Sequence, residues 1–319
     1  RATPLLPAEE ALRYRASYKF IDRMILRPLV RSLSSVFILA SLLLSTACRE
    51  EGGREGTLPL SATIAPATSM IASIGDSLVS VTTLLPQGNN PENYEPTPQA
   101  MQALATSRAY FYMGDLGFER SWIERIHSTQ PQLQLIRLDR GLQGHAHSHT
   151  TSSETEVHDP HYWTSLRGLR SMGREIYASL IKLDSTHTDH YTQRYGLLQE
   201  RLTQLEGKLR ELLSDLPSRA FVIYHPSLSE FAEEWGLEQL VVEEDGKDPT
   251  PQHIEGIIRR ARESGVRVVF IQQEFDSKLI QSIASELGAE TITINPLDGD
   301  WEKQLLLIAE ALRGASRAH

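Results

Sequence analysis

The chain has 319 residues and a formal net charge of −9, from 32 basic and 41 acidic side chains, with 11 histidines and one cysteine. That length accommodates two domains of ordinary size. No clustered basic face is present to meet a phosphate backbone, so no nucleic-acid partner is expected, and a lone cysteine leaves no internal disulfide.

Residues 25–48 read as an export signal. Arg27 and Arg31 supply a positive start, residues 33–44 an apolar run too short to span a bilayer, and Ser45-Thr46-Ala47 small side chains before Cys48. Met24 stands just ahead, so translation is expected to start there, with residues 1–23 an upstream extension and 24–47 the signal peptide. Cys48 occupies the place of the lipidated residue in a bacterial lipobox, with Ser45 where leucine is usual. Residues 48–57 form a polar tether. The expectation is a cell-envelope protein, lipid-anchored through Cys48 and facing the periplasm; the acidic start Arg49-Glu50-Glu51 makes outer-surface exposure the alternative.

Residues 58–162 alternate strand-like runs (60–64, 79–85, 109–113, 133–138) with helix-like ones (65–74, 98–107, 118–126). Such alternation predicts an α/β lobe with a mostly parallel sheet, and in such sheets ligands collect outside the carboxyl ends of the strands. The loop 86–96 follows the second run, is dense in turn formers, and carries Glu92 and Glu95.

Residues 144–163, GHAHSHTTSSETEVHDPHYW, hold five of the 11 histidines. His145, His147, His149 and His158 sit in a polar stretch (144–158) with no apolar periodicity, which cannot contribute to a core and reads as a metal-collecting loop. His161 differs: Pro160 stiffens its backbone and Tyr162 and Trp163 can pack beside it, so it is expected to be a fixed ligand.

Residues 163–217 are predicted to form two helices. Tyr191, Tyr195, Leu198, Leu202, Leu205, Leu209 and Leu212 recur at alternating spacings of four and three, one face of a helix over about 187–214 that stops before Pro217. Its stripe is too short for a coiled coil, so burial against the protein's own lobes and a rigid spine are expected. His187 and His190, at i,i+3, read as exposed rather than as a shared metal site. Residues 218–319 repeat the pattern with strands at 220–224, 266–271 and 291–294. His225, Glu274 and Asn295 follow these three strands, with Asp298 just beyond. The fold expected is α/β: two similar lobes with mostly parallel sheets, joined by one long rigid helix.

Taken in order, GNNPENYEPTP, HDPHYW, FVIYHP, GKDPTP and INPL resemble the motifs of the solute-binding lipoproteins of bacterial zinc and manganese ABC importers, over about residues 60–313. The resemblance implies two α/β lobes, a long linking helix, a metal site in the cleft between the lobes, extracytoplasmic capture of zinc and delivery to a membrane permease; a monomer is expected. It maps the family's second and third metal ligands onto His161 and His225. The first ligand in the family is the histidine of a PH-x-Y-x-P motif, where this chain has Glu92; the fourth is often an aspartate in a D-P-L-like turn, where this chain has Asn295. Glu274 or Asp298 are the alternatives for the fourth place. Two histidines with oxygen ligands would also suit manganese, whereas the His-rich loop argues for zinc. A surface scavenger or adhesin without a permease is a further alternative. A zinc hydrolase with Glu92 or Glu274 as base ranks last, since no HExxH-like motif is present.

Holding a metal on a polar, unstructured stretch costs ordering entropy. Deleting residues 145–149 should therefore lower the zinc stoichiometry in equilibrium dialysis yet leave one tight site; loss of that tight site would refute the collector reading.

Overall fold

The computed structural model describes residues 56–142, 159–244, 247–275 and 278–314. The upstream extension, the signal peptide, Cys48, residues 49–55 of the tether, and His145, His147, His149 and His158 lie outside the described residues.

The first lobe is a parallel sheet of β1 (Leu58–Ala62), β2 (Val79–Thr83), β3 (Ala109–Tyr112) and β4 (Gln134–Arg137), in the order β2-β1-β3-β4. Its helices are α1 (Ala65–Gly75), α2 (Pro98–Thr106) and α3 (Gly117–Thr129). The start of α2 is written in the sequence: Pro98 takes the first turn, where a missing N–H costs nothing, and the Thr97 hydroxyl accepts from the Ala100 N–H. The second lobe repeats the order as β6-β5-β7-β8, again all parallel, from β5 (Ala220–Ile223), β6 (Glu238–Val241), β7 (Val268–Gln272) and β8 (Glu290–Ile294). Its helices are α6 (Ser229–Trp235), α7 (Pro251–Glu263), α8 (Lys278–Leu287) and α9 (Trp301–Gly314), the helices of the central pair being α4 (Leu166–Leu183) and α5 (Thr188–Leu213).

Sequence pattern missed β6. It is an edge strand whose first residue, Glu238, is exposed and in which Leu240 alone is fully buried, so its apolar run is short, Leu240-Val241-Val242. The α5 stripe is buried as its spacing requires, with Tyr191, Leu198, Leu202, Leu205 and Leu209 all 2% exposed or less. Tyr195 lies partly out of the core and stacks on Tyr177 of α4, ring centroids 4.6 Å apart. Helix α5 packs against α1 of the first lobe, α4 beside it and α9 of the second lobe, and one contiguous apolar core runs from Leu60 through Leu202 to Phe221 and Ile308.

The lobes are also tied by polar contacts beside the cleft. The Glu234 carboxylate at the end of α6 accepts from both Leu166 N–H (2.8 Å) and Arg167 N–H (3.0 Å), two of the donors that the first turn of α4 leaves without an intrahelical partner. Arg167 in turn reaches Glu230 on α6 at 2.5 Å, and Glu230 is itself buried. The indole N–H of Trp163 donates to the Pro296 carbonyl at 2.8 Å, with Trp163 buried. An apolar spine and buried cross-lobe hydrogen bonds both resist hinging. Small-angle scattering should accordingly give the same radius of gyration with and without zinc, and a large compaction on adding the metal would contradict this account.

Candidate metal site

The loop 86–96 is shaped from inside by Tyr94. Its ring is buried edge-on against Phe118, centroids 5.4 Å apart, and its hydroxyl donates to the Leu84 carbonyl at 3.0 Å. Asn90 closes a turn by accepting from the Glu92 N–H at 2.8 Å. With both ends fixed, Glu92 is presented at the cleft while Glu95 points to solvent. The loop presses closely on α3: a Cβ on Gly117 would lie 2.6 Å from Glu92 Oε2 and 2.8 Å from Glu92 Cα, so this position requires glycine.

His161 enters from the first lobe just before the 3₁₀ turn Tyr162–Thr164. It is buried, and Asp159 accepts from both its backbone N–H and its ring Nδ1, each at 2.8 Å. His225 follows β5, at the carboxyl end of a central strand. Its backbone N–H donates to Gln272 Oε1 at 2.9 Å, its Nδ1 pairs with Glu243 Oε2 at 2.8 Å, and its ring stacks on Phe275 with centroids 5.0 Å apart. A carboxylate on Nδ1 of each ring fixes the tautomer and leaves the Nε2 lone pair free, the arrangement found on metal-bound histidines.

Those two Nε2 atoms face one another at 3.2 Å. Two imidazole nitrogens bound to one tetrahedral zinc, at roughly 2.0–2.1 Å each, would be separated by about 3.3 Å. Glu92 completes the group: among the described residues, the ligand atoms of Glu92, His161 and His225 all lie within 4.8 Å of one another, and no other such cluster of three is found. One Glu92 oxygen, Oε1, is shielded from solvent and has no hydrogen-bond partner, which a carboxylate tolerates poorly unless a cation or proton supplies one. The space between the rings, bordered also by Trp163, Glu274, Phe275 and Pro296, is a cavity of about 10 Å³, the scale of one water molecule or ion.

The electrostatics favour a cation. Burial alone would lower the His161 pKa, but Asp159 at Nδ1, followed by Glu92 and Glu274, outweighs it and holds the imidazolium above its ordinary value. Glu274 is pushed upward by desolvation, against its own backbone hydrogen bond and the pull of His161. Four carboxylates thus surround two imidazoles: Glu92, Asp159, Glu243 and Glu274.

Asn295 is placed differently. It is buried, its Oδ1 accepts from the Leu297 N–H at 3.1 Å, and its own N–H donates to Gln304. Asp298 is likewise engaged, accepting from the Asp300 N–H at 2.9 Å. His187 and His190 do not converge: His187 pairs with Asp184 at 2.7 Å, and His190 Nε2 lies 3.9 Å from Asp76. Sequence reasoning passed over Glu243. It sits just past the edge strand β6, whose signal is only the short run Leu240-Val241-Val242; once that strand is recognised, a carboxylate beyond its carboxyl end, next to β5 and His225, marks itself.

Comparisons with known proteins bear on the family and the fold. The family model described as zinc-uptake complex component A, periplasmic, matches residues 61–309. A putative metal-binding protein of Treponema pallidum is 24% identical over 281 residues, covering 84% of this chain and 87% of that protein. The high-affinity zinc uptake system protein ZnuA of Bacillus subtilis is 21% identical over 285 residues, covering 83% and 89%. A crystal structure of ZnuA superposes with a TM-score of 0.74 at 32% identity, covering 81% of this chain and 98% of that one. Two parallel-sheet lobes on one long helix, two carboxylate-oriented histidines in the cleft and a family match over nearly all the described residues place this chain in the ZnuA family of periplasmic zinc-uptake components.

Proposed function

We propose that this chain captures zinc outside the inner membrane, on Glu92, His161 and His225, and hands it to the permease of an ABC-type importer. The observation that carries the reading is the pair of Nε2 atoms 3.2 Å apart, each with its Nδ1 on a carboxylate. Facing lone pairs at that distance repel unless a proton or a metal lies between them, and a zinc ion fits the spacing. A monomer anchored through a lipid on Cys48 is part of the same proposal; among the described residues no helix is long and apolar enough to cross a membrane. Manganese is the second reading, favoured by the oxygen donors of Glu92 and, across the same cavity, Glu274. Metal analysis of protein purified without added metal, followed by zinc–manganese competition, separates the two.

The carboxylates on Nδ1 set ring orientation and basicity rather than touching the metal. Asp159→Asn and Glu243→Gln should each weaken zinc binding by about 10- to 100-fold in chelator competition, with melting temperature little changed; wild-type affinity in both would remove the orienting role.

The charge of the ligand set yields a sharper test. The family pattern of three neutral histidines and one aspartate carries −1, and Glu92, His161, His225 and Asn295 carry −1 as well. A divalent ion in a partly buried cleft needs that compensation. On this proposal the carboxylate has moved from the second lobe to the first. Glu92→Ala, His161→Ala and His225→Ala should each weaken zinc binding by at least about 100-fold, since each deletes one of the few bonds to the ion; Asn295→Ala should cost much less. Glu92→His should leave a neutral, weaker site, and adding Asn295→Asp should recover affinity beyond additivity in a double-mutant cycle. If no recovery appears while Glu274→Gln alone abolishes tight binding, the fourth ligand is Glu274 and the exchange is not a compensated pair.

A further inference from the structure

The group that takes the metal is strongly acidic, and its nearest exposed cation has no part in the capture just described. Arg120 lies in the first turns of α3, with Nη2 3.9 Å from Glu92 Oε2 and Nη1 donating to the Asp115 carbonyl at 2.6 Å. Its side chain is 55% exposed, whereas Glu92 is held by its turn and by the close approach that Gly117 allows. Resting on the reading of Glu92 as a ligand, we propose that Arg120 is a resident counter-charge for Glu92 which the arriving metal displaces, and which lowers the affinity of the site and speeds release of the ion.

First, Glu92, Asp159, Glu243 and Glu274 crowd one cleft, so its potential is negative and a cation held there is difficult to release. Second, a solute-binding protein must both capture and deliver, and a very deep well serves only capture. Third, Arg120 is the cation paired with Glu92 through Oε2, whereas Oε1 is the oxygen left without a partner. A guanidinium on one oxygen withdraws charge from the carboxylate, opposes a divalent ion nearby and offers Glu92 an alternative partner when the ion leaves. The place is adapted to a carboxylate as well: Glu92 Oε2 sits over the first residue of α3, at the positive end of the helix, and a side chain on Gly117 would collide with it.

The test is a charge series at position 120, read by zinc affinity in chelator competition and by dissociation rate in stopped flow. Arg120→Lys keeps the charge and should stay within about twofold of the parent protein. Arg120→Gln should bind zinc about three- to tenfold tighter, mostly through slower dissociation, and Arg120→Glu tighter still. Raising ionic strength from about 0.01 to 0.5 M should shrink the difference between Arg and Gln, because the pair is exposed. A merely structural role predicts the opposite order, with every substitution weakening binding. Weaker or unchanged binding in Arg120→Gln, or Lys behaving like Gln, overturns the proposal. Glu92→Gln alone and combined with Arg120→Gln separates this failure from failure of the site itself. If Glu92→Gln binds zinc normally, Glu92 is not a ligand and the functional reading is at fault. If Glu92→Gln loses tight binding but Arg120→Gln does not tighten it, only the counter-charge is wrong.

Discussion

The architecture depends on one contact between the second lobe and the central helix pair: the Glu234 carboxylate seated on the free N–H groups at the start of α4. That helix begins five residues after His161, and α6, which carries Glu234, begins four residues after His225. A carboxylate at a helix N-terminus is favoured both by the open donors and by the helix dipole. Its partners are main-chain groups, fixed by the helix itself, and Arg167 closes a second link to Glu230 beside it. The distance between the two histidine-bearing segments is therefore set before any metal arrives. The Trp163–Pro296 hydrogen bond repeats the device on the other side of His161.

Preorganisation of this kind has an electrostatic consequence. Two rings cannot hold their Nε2 lone pairs 3.2 Å apart without cost, and carboxylates on both Nδ1 atoms raise the electron density at Nε2 further. A proton between the rings would relieve the repulsion, and Asp159, followed by Glu92 and Glu274, outweighs the desolvation that would lower the His161 pKa, so the site favours positive charge. A divalent ion relieves it better, bringing two charges where the proton brings one. On the proposed function, part of the binding energy would be stored as repulsion held in place by the scaffold.

Much of this could be read in the sequence, for identifiable reasons. The α5 stripe is legible because a helix buried along one face must repeat with the helical period, and its leucines are buried accordingly. His161 stood out because Asp159-Pro160 and Tyr162-Trp163 flank it with residues that fix a backbone, and the structure finds Asp159 on its ring. What stayed hidden depends on contacts distant in the chain. Strand β6 is an edge strand with little apolar pattern, so Glu243 beyond it went unnoticed. Glu119 reads as an ordinary first-turn acid of α3. Folding buries it against Thr63 and the N–H groups of Met113 and Gly114, and desolvation drives its pKa to about 7 despite those bonds. Glu234 looks like one more charge in a run of glutamates, and only the packing of α6 against α4 singles it out from Glu233.

The place where sequence and structure pull apart is Asn295. As a residue at the carboxyl end of β8 it belongs with the ligands, yet its Oδ1 is committed to the Leu297 N–H two residues on. That turn presents the Pro296 carbonyl to the indole of Trp163, and Trp163 lies against the His161 ring with centroids 5.2 Å apart. An aspartate could form the same turn with one oxygen and offer the other, charged, to the metal. An asparagine forms the turn equally well but offers only an amide. On the proposed ligand set, the exchange would preserve the support that Asn295 gives His161 through Pro296 and Trp163 while removing a charge from the second lobe. With Glu92 as the proposed ligand of the first lobe, the site would keep its total charge and change only the direction from which the metal is held.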